Sequence, residues 1–308
     1  MKENIITFSK NGNIEVPNPA IGFKYRLVSY FKRLIRMFIK VLIIILFSIW
    51  SNFGMLKAQC KPAVWSFQAG EELYYDVVYN WGFIWVEAGK VNFKVHEEYL
   101  DGKEVFHFES TGASLKKYDW FFKVRDYYHS WAEMDDLKPI KYSRKTSEGK
   151  QKADNKYWFD YKQQKIYTNS WNSQRERKLD TLHLSPCLFD IMTAVYYVRT
   201  LNLSKYKTNE KILLTMIVDD EIFKLYGRYL GKETINTIEK KEFKCLKFSI
   251  SLVEGTMFKG GEDLVVWVTD DNNRVPILIE AKILVGVVKA TFDYAKKLKH
   301  PLFYQIEE

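Results

Sequence analysis

The sequence predicts a mostly β protein: a large curved antiparallel sheet, or a barrel-like meander, with one main packed helix. Three observations predict it. Apolar and polar residues alternate with period two through much of the chain after residue 70. Turn residues punctuate these runs at short intervals. Only one segment changes to helical spacing.

The first 58 residues are read as an address and excluded from the fold. They hold nine basic residues against Glu3 and Glu15, a balance of +7 out of the chain's +9. The basic stretch runs into the apolar residues Val41–Trp50 and then small and polar ones, the pattern of a secretory signal. Ten apolar residues fall short of the roughly 20 that a membrane span needs. Ala58 marks the expected cleavage position. The alternative is an uncleaved anchor over Met37–Met55, and Met37 also offers a second start. Contact with a membrane is expected only through this segment. Cys60 is a poor lipid-attachment residue, because Gln59 and Lys57 stand where small and apolar residues are wanted.

Residues 59–308 carry 38 basic against 36 acidic residues. This near-neutral body removes the electrostatic case for a nucleic-acid partner. It is expected to be a single exported domain.

Its strands come from alternation, since successive strand side chains point to opposite faces. Val91, Phe93 and Val95 alternate with Asn92, Lys94 and His96. Phe106 and Phe108 alternate with His107 and Glu109. Leu246, Phe248, Ile250 and Leu252 alternate with Lys247, Ser249 and Ser251, and Ile277, Ile279, Ala281 and Ile283 follow the same rule. Asp101-Gly102 fits a two-residue hairpin turn with positive φ at both positions. Glu148-Gly149, Gly231 and Asp270–Asn273 mark further turns. About a dozen strands are expected between Leu73 and Tyr294, and an open sheet beyond about ten strands curls or splits.

The helical segment is Ser185–Leu203. Ser185 is read as its N-cap and Pro186 as its first residue. Leu188, Ile191, Met192, Val195, Tyr196 and Arg199 share one face, which is expected to pack across the sheet.

Three groups of segments then carry a family resemblance: GEELYYDVVYNWGFIWVEAGKVNFKV (Gly70–Val95), SPCLFDIMTAVYYVR (Ser185–Arg199), and a third set from Tyr229–Glu233 through Phe243–Phe248 to Val266–Ala290. Together, over about residues 66–300, they resemble the exported bacterial family known as domain of unknown function 3108 (DUF3108). The resemblance implies an exported, β-rich, envelope-facing protein and supplies no catalytic residues. The stretch before Met37 resembles nothing in that family.

No constellation dictates chemistry, so no catalytic residue, metal or cofactor is assigned. His107 and Glu109 share a strand face, but a solvated face gives the same pattern. Asp126 and His129 fall on opposite faces. Asp270–Asn273 lacks calcium-loop spacing. Cys187 and Cys245 are the candidate disulfide in an oxidising compartment.

The aromatics are the better lead, with 21 Phe, 20 Tyr and 9 Trp. Trp120–Phe122 is read as the start of a strand continuing to Trp131, and Tyr157–Tyr161 as the start of another. Aromatics there occupy both faces. Sheet-stabilising pairs explain this; so does a cavity for a lipid, glycan or other amphipathic ligand. Trp81, Trp85, Trp120, Tyr128 and Trp158 are the candidate ligand-facing residues. The Lys-rich stretch Lys138–Lys156 is read as protection of an exposed edge. The expected function is a non-catalytic envelope binder of an apolar or amphipathic ligand in the concave face. The alternatives are an assembly partner and a hydrolase built around His107, Glu109 or His129.

Overall fold

The computed structural model describes residues 60–306 apart from 82–83, 238, 253–259 and 284–285. The signal segment, its apolar run and its cleavage position lie outside the described residues, as do Phe83 and the side chain of Trp81.

The first half is a run of antiparallel neighbours: β1 (Glu72–Trp81), β2 (Ile84–Leu100), β3 (Lys103–Ser114), β4 (Val124–Glu133), β5 (Pro139–Glu148), β6 (Gln151–Asp160), β7 (Lys165–Asn172) and β8 (Arg175–His183). After the two-residue β9 (Leu188–Phe189) and helix α1 (Ile191–Arg199) come β10 (Lys211–Val218), β11 (Glu221–Asn236), β12 (Lys241–Leu252), β13 (Gly261–Thr269), β14 (Pro276–Lys282) and β15 (Val287–Lys296). A short β16 (Gln305–Ile306) pairs with β12. The order is β8-β7-β6-β5-β4-β3-β2-β1-β15-β14-β13-β12-β11-β10-β9. All of it is one curved, open antiparallel sheet except the parallel β9–β10 contact. Among the described residues no pairing joins β8 to β9, so the two ends remain edges. More strands form than alternation revealed, partly because β8 (RERKLDTLH) is almost wholly polar.

The turns follow their chemistry. Asp101 and Gly102 have φ of 50° and 79°, the mirror-image turn that joins twisted strands. Gly231 is different: it lies inside β11, where the pairing with β12 slips by one residue, and so forms a bulge. Trp120–Phe122 also departs from expectation. A 3-10 turn at Lys116–Tyr118 precedes it, and β4 begins only at Val124. Tyr157–Phe159 ends β6 instead of beginning a strand.

α1 starts later than Ser185. Asp190 is the N-cap: its carboxylate accepts from the backbone N–H of Met192 (2.8 Å) and Thr193 (3.0 Å), while its own N–H donates to Thr193 Oγ1 (3.0 Å). This reciprocal box satisfies donors that a helix start otherwise leaves open. Ser130 Oγ on β4 donates to the same carboxylate at 2.6 Å, tying the helix to the sheet. Burial still pushes that carboxyl up to about 6.

One face of β2–β7 packs against α1, β9 and β10. Val95, Phe108, Tyr142, Tyr157, Ile166, Met192, Tyr196 and Ile217 are buried together there, with the Phe108 and Tyr196 rings stacked at 4.2 Å. A second core joins β1 to β11–β15 through Leu73, Tyr75, Phe243, Trp267, Ile277 and Phe292. Leu246 and Phe248 form a third cluster with Leu203 and Val268. The segment before β1 and the β13–β14 loop are fastened to this body. Arg199, at the end of α1, forks onto both carboxylate oxygens of Glu71 (2.6 and 3.0 Å) and also donates to the carbonyls of Asn273 and Ser66.

The disulfide is Cys60–Cys187, not Cys187–Cys245. Cys187 sits in a tight turn with φ of 59° that aims it at the N-terminal segment, with a Cα–Cα separation of 5.5 Å from Cys60. Cys245 is a free thiol, buried in the second core. Burial pushes its thiol up to about 12, so it is inert packing.

Candidate binding surface

Strict alternation along β6 and β7 sends Asn155, Tyr157, Phe159, Ile166, Thr168 and Ser170 inward and Lys156, Trp158 and Tyr167 outward. Register carries this division across the sheet. On the outer face Tyr127, Lys145, Asp154 and Trp171 line up across β4–β7, and Trp131, Lys141, Trp158 and Tyr167 form a second row. Adjacent strands lie about 4.8 Å apart, so each row is a continuous ridge of rings and charged groups.

A groove of about 530 Å³ opens on this outer face. Its lining includes Arg125, Tyr127, Lys145, Lys152, Trp171 and Arg177. Arg177 is partly neutralised by Asp154 at 2.9 Å, and Arg125 by Asp119 at 2.6 Å. Among the described residues Lys145 and Lys152 are exposed and have no carboxylate within ion-pair distance. The groove therefore offers two cations without a carboxylate partner alongside two aromatic rings. Rings accept apolar chains or sugar faces, and the ammonium groups accept anionic substituents. The expected edge-protecting role of this Lys-rich stretch does not hold. β5 and β6 are flanked by β4 and β7 and have no edge to protect.

The inner face is filled. The tip of the β10–β11 hairpin lies against it: Asp219 pairs with Arg144 and accepts from Asn155 at 3.2 Å, and Asp220 accepts from Ser170 Oγ at 2.6 Å. Tyr142 Oη and Thr168 Oγ1 are buried beside this network and have no hydrogen-bond partner among the described residues. Asp126, near Glu148, is pushed up to about 7 by burial and by that second carboxyl. Of the four candidate aromatics whose side chains are described, only Tyr128 turns toward this side, between Ser110 and Arg144 in register, and burial raises its phenol well above its ordinary value. Trp158 is on the outer face and 40% exposed, Trp85 is 47% exposed under Lys289, and Trp120 is 83% exposed in the β3–β4 loop. Trp85, Trp120, Tyr128 and Trp158 do not converge on one site. Tyr127, which lines the groove, belongs to the aromatic run Trp120–Trp131, whereas Trp171 lies outside the runs read from the sequence; facing follows only from the register.

The histidines gather where hairpin register places them. The Asp101-Gly102 turn sets His96 opposite His107, and β4 adds His129 and Trp131. His107 Nδ1 lies 2.7 Å from Glu98, its Nε2 lies 3.0 Å from His129 Nδ1, and Trp131 stacks on its ring at 4.5 Å. Burial lowers the basicity of His107 against the pull of Glu98. Glu109 is opposite His129 in register and lies 3.9 Å from Lys94. Among the described residues no group of three metal-ligating side chains has metal geometry.

The fold and surface define a class: an open, curved antiparallel sheet with a helix-packed interior and an aromatic, basic outer face. The chain belongs to the family described as protein of unknown function, DUF3108, whose model matches residues 74–293. Among curated proteins none matches it. Among solved structures it is similar to a beta-barrel-like protein of domain of unknown function DUF1849 from Brucella abortus. That likeness has 5% identity and a TM-score of 0.49, over 75% of this chain and 98% of the other.

Proposed function

We propose that this is an exported envelope protein that binds an amphipathic, negatively charged ligand, a lipid or a glycan, on its outer face without transforming it. The observation that carries this reading is the groove, where Lys145 and Lys152 stand without acidic partners beside Tyr127 and Trp171. Export rests on the basic and apolar signal pattern before Ala58 and on the family resemblance. The non-catalytic part is supported by His107, whose two ring nitrogens are both engaged, by Glu98 and His129, leaving neither for a substrate. Assembly through strand edges is disfavoured by β8, whose alternating charges oppose pairing with another strand.

Native mass spectrometry of gently purified protein tests the reading. A bound anionic amphiphile is expected, and it should be lost in Lys145→Glu/Lys152→Glu. Both substitutions are at exposed positions and should leave the melting curve in place. Protein that is consistently empty, or a ligand retained equally by the double variant, would sink the assignment to this groove.

A further inference from the structure

The β3–β4 loop presents three aromatic rings to water: Trp120 is 83% exposed, Phe121 61% and Phe122 46%. The loop is firmly built. Asp119 receives Arg125 through two hydrogen bonds (3.1 and 2.6 Å) and Ser114 Oγ at 2.6 Å, and Ser114 Oγ in turn receives the Val124 N–H at 2.9 Å. The Tyr118 carbonyl accepts from the N–H groups of Phe121 and Phe122 at 2.9 and 3.0 Å. The Phe122 ring lies over Gly149, where a Cβ would come within 2.7 Å of it. Polar bonds thus hold apolar rings outward, which water disfavours.

The loop's own free charge is basic, with Glu87 and Glu148 on the flanking strands. Lys116, Lys117 and Lys123 are exposed, and the loop's one acid, Asp119, is occupied by Arg125. Ile84 and Trp85, exposed by 66% and 47%, extend β2 beyond the end of β3 toward the same end of the sheet. Weighted by exposure, the three loop rings offer about 400 Å². A specific protein interface needs roughly 800 Å² per partner. Rings that tolerate a wet, apolar boundary, ringed by lysines, match the headgroup region of a bilayer instead.

We infer that this loop docks the protein on an anionic lipid surface: Trp120 and Phe121 enter the headgroup–acyl boundary, and Lys116, Lys117 and Lys123 hold the headgroups. The loop borders the groove of the proposed function through Arg125, but its rings and lysines are not in the groove's lining, and the inference stands or falls without it.

Phe121→Cys supplies a labelling site in the full-length protein, because Cys60 and Cys187 are bonded and Cys245 is buried. A nitrobenzoxadiazole label there should shift to the blue on adding vesicles of three parts phosphatidylcholine to one part phosphatidylglycerol. A label at Lys103→Cys, at the opposite end of β3, should not. Reversing Lys116, Lys117 and Lys123 to Glu should weaken the loop's partition about a hundredfold or more. The N-terminal apolar segment could tether any of these proteins to vesicles, but tethering alone leaves the loop label in water. No shift at position 121, an equal shift at 103, or indifference to charge reversal would overturn the inference. So would a shift already present without vesicles in a protein of dimer mass, which would place a second copy on the loop.

Discussion

Replacing Arg199 by Met should be among the most damaging single changes in this protein. The guanidinium is 2% exposed and its partner Glu71 is fully buried. Arg199 bonds both oxygens of Glu71, donates to the Asn273 and Ser66 carbonyls, and lies over the Phe67 and Tyr196 rings at 5.7 and 5.4 Å. Burial opposes its charge, and Glu71 more than offsets this, so its pKa is raised. Met fills similar volume but leaves a buried carboxylate without a cation and two carbonyls without their donor. Breaking a buried pair from one side costs about 3–5 kcal/mol. At about 2–4 °C per kcal/mol for a domain of this size, the melting temperature should fall by roughly 6–20 °C. Urea unfolding with the disulfide intact gives the same quantity as a midpoint shift at constant slope. The double variant Arg199→Met/Glu71→Leu removes both charges and should recover to within about 1–2 kcal/mol of wild type. A single variant that loses less than about 1 kcal/mol would refute the reasoning. So would a double variant as unstable as the single one, because the loss would then come from packing and not from a stranded charge.

Two further outcomes follow from buried chemistry elsewhere. Cys187→Ser opens a loop closed over 127 residues and should cost about 5 kcal/mol on chain entropy; alkylation of the unfolded, unreduced wild type should mark one thiol, Cys245, and three marked thiols would contradict the pairing. Asp126 has a folded pKa raised to about 7, so its contribution to stability is full below its unfolded value near 4 and is lost as pH rises through about 7. Asp126→Asn should therefore flatten the loss of stability between pH 5 and pH 8, measured by urea midpoints at both values, and an unchanged pH dependence would count against the shift.

Alternation made the sheet legible in the sequence, because a strand with one buried face must repeat every two residues. β6 and β7 show it residue by residue. It failed where polarity and burial part company: β8 is polar on both faces, and the inner rows contain Arg144, Asn155, Thr168 and Ser170. The helix starts at a signal that the sequence carries but does not make unique. Asp190 and Thr193 have capping-box spacing, but Ser185-Pro186 offered a competing cap, and nothing local revealed the positive φ at Cys187 that separates the two. The disulfide was illegible for a different reason. Three cysteines allow three pairings, and the observed one spans 127 residues. The Glu71–Arg199 pair is likewise separated by 128 positions. By contrast the His96–His107 contact was recoverable, since Asp101-Gly102 fixes the hairpin register outright. The groove required facing across four strands, which depends on register and bulges that composition does not encode.

The groove and the buried network are two consequences of the same register. Arg144 is held inward by Asp219, so Lys145 must point outward. Asn155 is held inward by the same carboxylate, which places Asp154 outside. Ser170 is held by Asp220, which places Trp171 outside, and the Ser147 N–H bonds Asp126, which leaves Arg125 and Tyr127 on the outer side. A slip of one residue in any of β4–β7 would exchange the two sets of side chains. It would also bury a lysine or a tryptophan against the β10–β11 tip. An apolar interior would resist such a slip only through packing, whereas paired inward polar groups resist it through specific partners that exist in one register alone. The polar interior is therefore what fixes the outer surface: the β10–β11 tip never touches the groove, yet it determines which residues line it.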